Sequence, residues 1–140
     1  MTIQTKNGES LLYEKESYIL RGIFMKVYNE LGPGYKESVY AKALMQEFEE
    51  NRIPFEKERH LKITRRGELL GSFRVDFIIW DKIIIELKAL EFLPAVSERQ
   101  TQSYLVGSEF KLAFLVNFGS NKLQIIRKIN DKAKYFKQSA

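Results

Sequence analysis

The chain has 140 residues, of which 44% are hydrophobic, and these values are typical of one globular domain with its own core. It contains no cysteine, which excludes disulfides, thiolate zinc sites and cysteine nucleophiles, and its single histidine, His60, excludes a histidine-rich metal site. No apolar run approaches the length of a membrane span, and residues 1–6 lack the apolar core of a signal peptide, so we expect a cytoplasmic protein without a membrane partner.

The net charge of +5 is located at the end of the chain. From Lys122 onward there are six Lys and Arg residues and one acid, Asp131, so that residues 1–121 carry 17 basic and 17 acidic side chains. A basic tail can bind phosphates, but a solvated run of charge explains the same composition.

Two amphipathic helices are predicted first. Residues 1–10 are polar and are expected to be loose. Apolar side chains then recur at helical spacing over residues 12–31, and a Gly-Pro-Gly turn at 32–34 ends this helix. A second helix is predicted from near Glu37 to about Asn51.

Glu37 lies three residues before Tyr40, at the head of the stripe that faces the core. A carboxylate in the first turn of a helix is stabilised by the unpaired amides there, which is one sufficient explanation. If this end of the helix lies beside other carboxylates, Glu37 instead belongs to a metal or catalytic site. The local sequence leaves both interpretations open.

Three consecutive antiparallel strands are predicted next. Residues 55–64 alternate in polarity, 65–68 form a hairpin turn, and 69–80 form the second strand. The third strand, 83–88, reads Ile-Ile-Ile-Glu-Leu-Lys and is typical of a central strand. A helix and two further strands follow at 96–107, 111–117 and 123–129. This order predicts a mixed α/β (α+β) domain, a central mixed sheet flanked by helices.

The turn after the second strand decides whether two carboxylates meet. A two-residue turn would place Asp76 on the opposite side of the sheet from Glu86. A three-residue turn at 80–82, which pairs Ile79 with Ile83, would bring Asp76 opposite Glu86. We predict the second register, or a bulge that gives the same parity.

Adjacent carboxylates repel each other unless a cation or a proton lies between them. Mg²⁺ and Mn²⁺ favour a few carboxylate oxygens together with water and a substrate phosphate. Lys88 shares the face of Glu86, where it could orient or deprotonate an attacking water or stabilise the charge of the transition state. The alternative is a structural Glu86–Lys88 pair, with Asp76 at the start of a turn.

Gln100 and Tyr104 are four residues apart and share one face of the predicted helix. Either these side chains are simply solvated, or their face abuts the carboxylates. In the second case Gln100 could donate a hydrogen bond to a phosphate or to a metal-binding carboxylate.

Four motifs together resemble one known family. Asp76, followed after nine residues by Glu86-Leu87-Lys88, resembles the D…E-x-K signature of the PD-(D/E)XK nuclease superfamily, although Val75 stands where that superfamily has proline. Residues 100–104 are similar to the Q-x-x-x-Y element of its RecB-like members. Residues 34–40, together with the segments 85–89 and 117–119, resemble the GxxExxY group of small, single-domain members.

The resemblance implies a restriction-endonuclease-like αβββαβ core in a single domain, 1–140, that hydrolyses phosphodiester bonds in DNA or RNA. It also implies six site residues: Asp76 and Glu86 as ligands of Mg²⁺ (or Mn²⁺), Glu37 as a helix-borne carboxylate near the metal, Lys88 as the catalytic lysine, and Gln100 and Tyr104 as an accessory pair.

Two other functions remain open. The chain could be a non-catalytic nucleic-acid- or protein-binding module that retains the nuclease fold. It has no separate DNA-recognition domain, so an active enzyme would need a partner protein or a second copy to hold its substrate. A homodimer could form through the exposed edge of the last strand, 123–129.

Overall fold

The structure is a computed structural model that describes residues 12–130. The predictions of a loose segment at 1–10 and a basic tail at 131–140 therefore lie outside the described residues.

Three helices are present among the described residues, within two residues of their predicted bounds at each end. They are α1 (Glu14–Leu31), α2 (Glu37–Glu50) and α3 (Ala95–Val106). Gly32 ends α1 with a left-handed φ of 69°, and its N–H donates to the Tyr28 carbonyl. Within residues 12–130, no helix has the length and apolarity needed to cross a membrane.

Between residues 12 and 130, seven strands form two sheets. Their bounds are β1 (Phe55–Lys57), β2 (His60–Arg65), β3 (Glu68–Arg74), β4 (Phe77–Ile79), β5 (Ile83–Lys88), β6 (Leu112–Asn117) and β7 (Gln124–Ile129). Five of them form a mixed sheet in the order β1-β4-β5-β6-β7, in which only the β5–β6 pair is parallel. β2 and β3 form a separate antiparallel pair. The predicted α/β class, with a mixed central sheet between helices, is confirmed.

The prediction of two long uninterrupted strands at 55–64 and 69–80 is wrong, because each of them breaks in two. The first breaks at Glu58, which has a φ of 58°, and the second breaks beside Asp76. Hydrogen bonds from Glu58 N–H to the Asp76 carbonyl and from Val75 N–H to the Arg59 carbonyl hold the two bends together. One half of each predicted strand therefore joins the main sheet, and the other half leaves it.

The β2–β3 hairpin has the predicted turn at 65–68. Arg66 and Gly67 both have positive φ, 52° and 79°, which is the type I′ geometry that matches the twist of a hairpin. A register shift between Ile63 and Thr64 adds one residue on β3.

The main sheet is covered on both faces. On one face α1 and α2 pack against Phe77, Ile85 and Phe114. On the other face α3 and the β2–β3 hairpin pack against Ile78 and Ile84. Since side chains alternate along a strand, Glu86 and Lys88 share the second face with Ile84.

Tyr40 fixes the loop in front of α2. Its hydroxyl donates to the Gly32 carbonyl at 2.6 Å and accepts the Tyr35 N–H at 3.3 Å. Its ring is fully buried and stacks on Phe118 at a centroid distance of 4.7 Å. These contacts set the position of Glu37, one turn before Tyr40 on the same helix.

Asn117 fixes the segment that follows β5. It is fully buried, its Oδ1 accepts the N–H groups of Leu90 and Gly119, and its Nδ2 donates to the Leu90 carbonyl. At Gly119, a Cβ atom would lie 2.3 Å from the main-chain carbon of Ala89. Only glycine therefore lets the β6–β7 turn lie against the chain leaving Lys88.

Gly119→Ala is expected to lower the free energy of unfolding by about 2–4 kcal/mol, because the added methyl group meets main chain that cannot rotate away. Urea denaturation measures this change. Gly107→Ala is the matched control: its Cβ would make ordinary contacts at 3.5 Å, so we expect a change of about 1 kcal/mol or less. Equal effects of the two substitutions would contradict the close packing at Gly119.

Candidate active site

The β4–β5 turn has the predicted register. Ile79 pairs with Ile83, and the three-residue loop 80–82 connects the strands. Trp80 and Asp81 both take left-handed φ values, 53° and 56°, which close this loop. The prediction of a three-residue turn is confirmed, and its parity brings the two acidic side chains of the neighbouring strands to one face.

The side chains of Asp76 and Glu86 accept main-chain hydrogen bonds where β4 and β5 separate. The Leu87 N–H donates to Asp76 Oδ2 at 2.7 Å, and the Asp76 N–H donates to Glu86 Oε1 at 3.3 Å. One residue earlier, Val75 donates its N–H to Arg59 on the side of β1. The two carboxylates thus accept main-chain N–H groups in place of the carbonyls of a neighbouring strand, at the point where β3 leaves the main sheet. These two hydrogen bonds hold the acids side by side.

Burial makes both carboxylic acids weak, and the charge of Asp76 adds to this effect at Glu86. Burial, followed by the charge of Asp76, raises the pKa of Glu86 to about 8. Burial also raises the pKa of Asp76, against the opposing effects of the Leu87 N–H and the Lys88 ammonium. At neutral pH, without a cation, Glu86 therefore retains its proton for most of the time.

Glu37, the first residue of α2, lies within electrostatic reach of this pair. Partial burial and the charge of Asp76 raise its pKa, while Lys88 lowers it. Glu37 and Asp76 line the same cleft, so the tip of α2 faces Asp76.

The acidic residues Glu37 and Asp76 line a cleft of about 290 Å³. Three cationic side chains from separate elements also line it: Lys42 of α2, Lys57 of β1 and Arg74 of β3. Sequence reasoning missed them, because residues on three elements form no local pattern. The hydrogen bonds of Asn117 to the segment after β5 were also not predicted. A polar residue at the end of the apolar run Leu-Ala-Phe-Leu-Val could have indicated that this side chain has a buried hydrogen-bonding role.

The donor chemistry of the pair suits Mg²⁺. This ion is usually bound by one or two carboxylates and completes its shell with water and substrate phosphate. Among residues 12–130, no group of three His, Asp or Glu side chains is arranged to hold a metal ion. Asp76 and Glu86 are therefore the two candidate ligands in mutual contact, and Glu37 lies outside that contact.

Gln100 and Tyr104 share a face of α3, as predicted. Gln100 Nε2 donates to the Tyr104 hydroxyl at 2.7 Å, and the Tyr104 ring stacks on Phe73 at a centroid distance of 4.1 Å. Tyr104 packs with the apolar cluster of Ile84, on the face of the sheet that carries Glu86. The structure therefore orients Gln100 through Tyr104 and not through a bond to a carboxylate, and an accessory role stays a prediction.

Comparison with known proteins gives a family match over most of the chain. A family model described as the PD-(D/E)XK nuclease superfamily matches residues 14–129. No curated protein matches the chain.

Two solved structures are similar in fold. One is described as the crystal structure of SSO0001, with 22% identity and a TM-score of 0.50 over 73% of this chain and 55% of that one. The chain thus spans about half the length of that protein. The other is an alkaline exonuclease (LHK-Exo) from Laribacter hongkongensis, with 12% identity and a TM-score of 0.46 over 94% of this chain and 77% of that one. At these identities the first likeness concerns the fold alone.

Glu86→Gln is expected to stabilise the metal-free protein increasingly as the pH rises. The folded chain binds the Glu86 proton with a pKa of about 8 against 4.5 for an ordinary glutamate, so the free energy of unfolding falls as the pH rises between these values. Glutamine mimics the protonated form. The variant should match the wild type near pH 4.5 and exceed it by about 2–5 kcal/mol at pH 8.

Urea denaturation in EDTA across this pH range measures the difference. Glu49→Gln, at an exposed position of α2, is the control and should show no such trend. A difference between Glu86→Gln and wild type that does not vary with pH would show that Glu86 is not buried as described.

Proposed function

The chain belongs to the PD-(D/E)XK nuclease superfamily, and we propose that it is a nuclease that hydrolyses phosphodiester bonds in DNA or RNA with the help of Mg²⁺ or Mn²⁺. The observation that carries this proposal is the carboxylate pair of Asp76 and Glu86, held together through main-chain hydrogen bonds at the end of two strands. Buried carboxylates that repel each other are costly for stability, and a divalent cation would remove that cost.

Asp76 and Glu86 would hold the cation, and Glu37 would add a third negative charge at the tip of α2. Once bound, the ion supplies positive charge to the phosphate under attack. Asp76 and Glu86 are partly buried, and charges interact more strongly there than in bulk water. This burial raises the pKa of both groups.

Lys88 would be the catalytic lysine. Its charge lowers the pKa of Glu37, Asp76 and Glu86, which means that its ammonium group is close enough to act on the same reaction centre. From this position it would align the attacking water and stabilise the negative charge that develops on the phosphate. Among residues 12–130 Lys88 forms no salt bridge, so its ammonium group is available for that role.

Gln100 and Tyr104 would act as an accessory pair. The Tyr104 hydroxyl accepts a hydrogen bond from the Gln100 amide, which restricts the rotation of that amide at an exposed position. A fixed amide on the helix that covers the Glu86 face can bind a phosphate oxygen of the substrate. Membership of the narrower GxxExxY group, a cytoplasmic location and pairing of two copies along β7 also remain predictions.

A non-catalytic binding module is the second candidate. The observation in its favour is that no third side chain completes a metal-binding group with the carboxylate pair in the part of the chain that the structure describes. Such a module would keep the pair as structure, with a proton in place of the cation.

Purified protein with Mg²⁺ or Mn²⁺ is expected to cleave at least one of three labelled substrates: single-stranded DNA, duplex DNA or RNA. Glu86→Ala and Lys88→Ala should each lower the rate by about 10²–10⁴-fold, because each removes a group that acts on the reacting phosphate. Gel electrophoresis of the products measures the rate.

Lys111→Ala is the matched control, because Lys111 directly precedes β6 and lies at the opposite end of the parallel β5–β6 pair from Lys88. It should retain the wild-type rate. Cleavage that persists in both Glu86→Ala and Lys88→Ala would remove this site from the reaction.

Titration calorimetry is expected to show Mn²⁺ binding with release of close to one proton at pH 7, since Glu86 has a pKa of about 8 and must ionise to bind. Experiments in two buffers with different ionisation enthalpies count the proton. The affinity should rise with pH and level off above about 8.

Asp76→Asn should abolish Mn²⁺ binding, whereas Asp81→Asn, in the exposed β4–β5 loop, should leave it unchanged. Wild-type protein that binds no metal ion, or an Asp76→Asn variant that binds as well as the wild type, would favour the binding module.

A further inference from the structure

The β2–β3 hairpin, His60–Arg74, forms an arm that leaves the main sheet. Its inner face packs on α3 through Leu61 and Phe73, which join the cluster around Leu105. Its outer face, where His60 pairs with Arg74 and Lys62 with Ser72, is exposed. One face of the arm is therefore packed on α3, and the other face is exposed to solvent.

The arm concentrates positive charge. It holds four cationic side chains, Lys62, Arg65, Arg66 and Arg74, and one acid, Glu68, so its local net charge is +3. The balance of charges over residues 1–121 conceals this, because acids in the helices offset the cations of the arm.

These cations are largely unpaired within residues 12–130. Lys62, Arg65 and Arg66 are exposed and form no ion pair there, and Arg74 has a single distant one, 3.9 Å from Glu58. Exposed ion pairs contribute little to stability in any case. Folding therefore does not explain why the charges are gathered on this element.

The arm begins at the candidate active site. Arg74, at the base of β3, lines the same cleft as Asp76, together with Lys42 and Lys57. From there the cations continue along the arm through Lys62 to the turn. Positive charge is thus distributed along the arm, with Arg74 and Lys62 on its outer face and Arg65 and Arg66 at the turn.

The length of the arm sets the distance over which its cations can contact a nucleic acid. The seven residues of β3 rise about 3.3 Å each, so the turn lies about 20 Å beyond the cleft. A nucleic-acid strand in duplex form advances about 3.4 Å per nucleotide, so the turn reaches a phosphate about six nucleotides from one bound at the carboxylates.

We propose that the arm binds the phosphodiester backbone of a nucleic acid on one side of the cleaved bond, out to about six nucleotides. The inference rests on the proposed function for the identity of the polyanion. The phosphates of a nucleic acid are regularly spaced negative charges. They complement the largely unpaired cations of the arm, which begin at the site proposed to cleave the nucleic acid. Such contacts hold the substrate without reading its sequence.

Fluorescence anisotropy in EDTA, with labelled 20-nucleotide single-stranded and duplex DNA over a salt series, tests the inference. Lys62→Gln/Arg65→Gln should weaken binding about tenfold near 0.1 M salt and reduce the slope of log K against log salt by about 1–2. A larger loss with duplex assigns the arm to double strands, and a larger loss with single-stranded DNA assigns it to single strands. Either result supports the proposal.

Lys15→Gln/Arg21→Gln on α1 is the matched control, with the same charge change on the opposite face of the sheet, and should bind like the wild type. Arg66→Asn removes a cation at the turn without disturbing the backbone, because asparagine tolerates the φ of 52° at that position. It serves as a third variant of the series. Equal losses in arm and control variants, unchanged salt slopes in the arm variants, or equally good competition by polyglutamate would overturn the proposal. EDTA prevents metal-dependent cleavage, so this outcome is independent of whether the protein proves to be a nuclease.

Discussion

The two main-chain hydrogen bonds that the carboxylates of Asp76 and Glu86 accept are the interaction on which this structure depends. Each carboxylate accepts a main-chain N–H at the place where two strands separate, Leu87 for one and Asp76 for the other. Without these acceptors, the separation would leave partly buried N–H groups unpaired. The groups proposed for chemistry therefore also complete the hydrogen bonding of the sheet.

This double role explains a tension in the electrostatics. The main-chain donors favour ionised carboxylates, yet burial and repulsion dominate and raise both pKa values. In the metal-free protein Glu86 keeps its proton, which removes one of the two repelling charges. Ionising Glu86 so that it could bind a cation would lower the stability of that metal-free state. Tyr40 and Asn117 hold the surrounding loops in place. They thereby keep Glu37 and Lys88 beside the carboxylate pair, although neither residue takes part in the two main-chain hydrogen bonds.

Much of the fold could be predicted from the sequence, for identifiable reasons. The parity of the turn between Ile79 and Ile83 follows from the two-residue period of strands, and it correctly brought Asp76 to the face of Glu86. The breaks at Glu58 and Asp76 could not be predicted, because alternation continues across them and only a left-handed backbone at Glu58 marks the bend. The cations of the cleft were missed for a similar reason, since long-range strand order brings them together.

Along the chain, the arm is connected to the main sheet through two short bends, at residues 58–59 and 75–76. Its own core contacts are to α3, while the carboxylates are held by β4 and β5. The length and charge of the hairpin can therefore change while β4 and β5 keep the carboxylate pair in position.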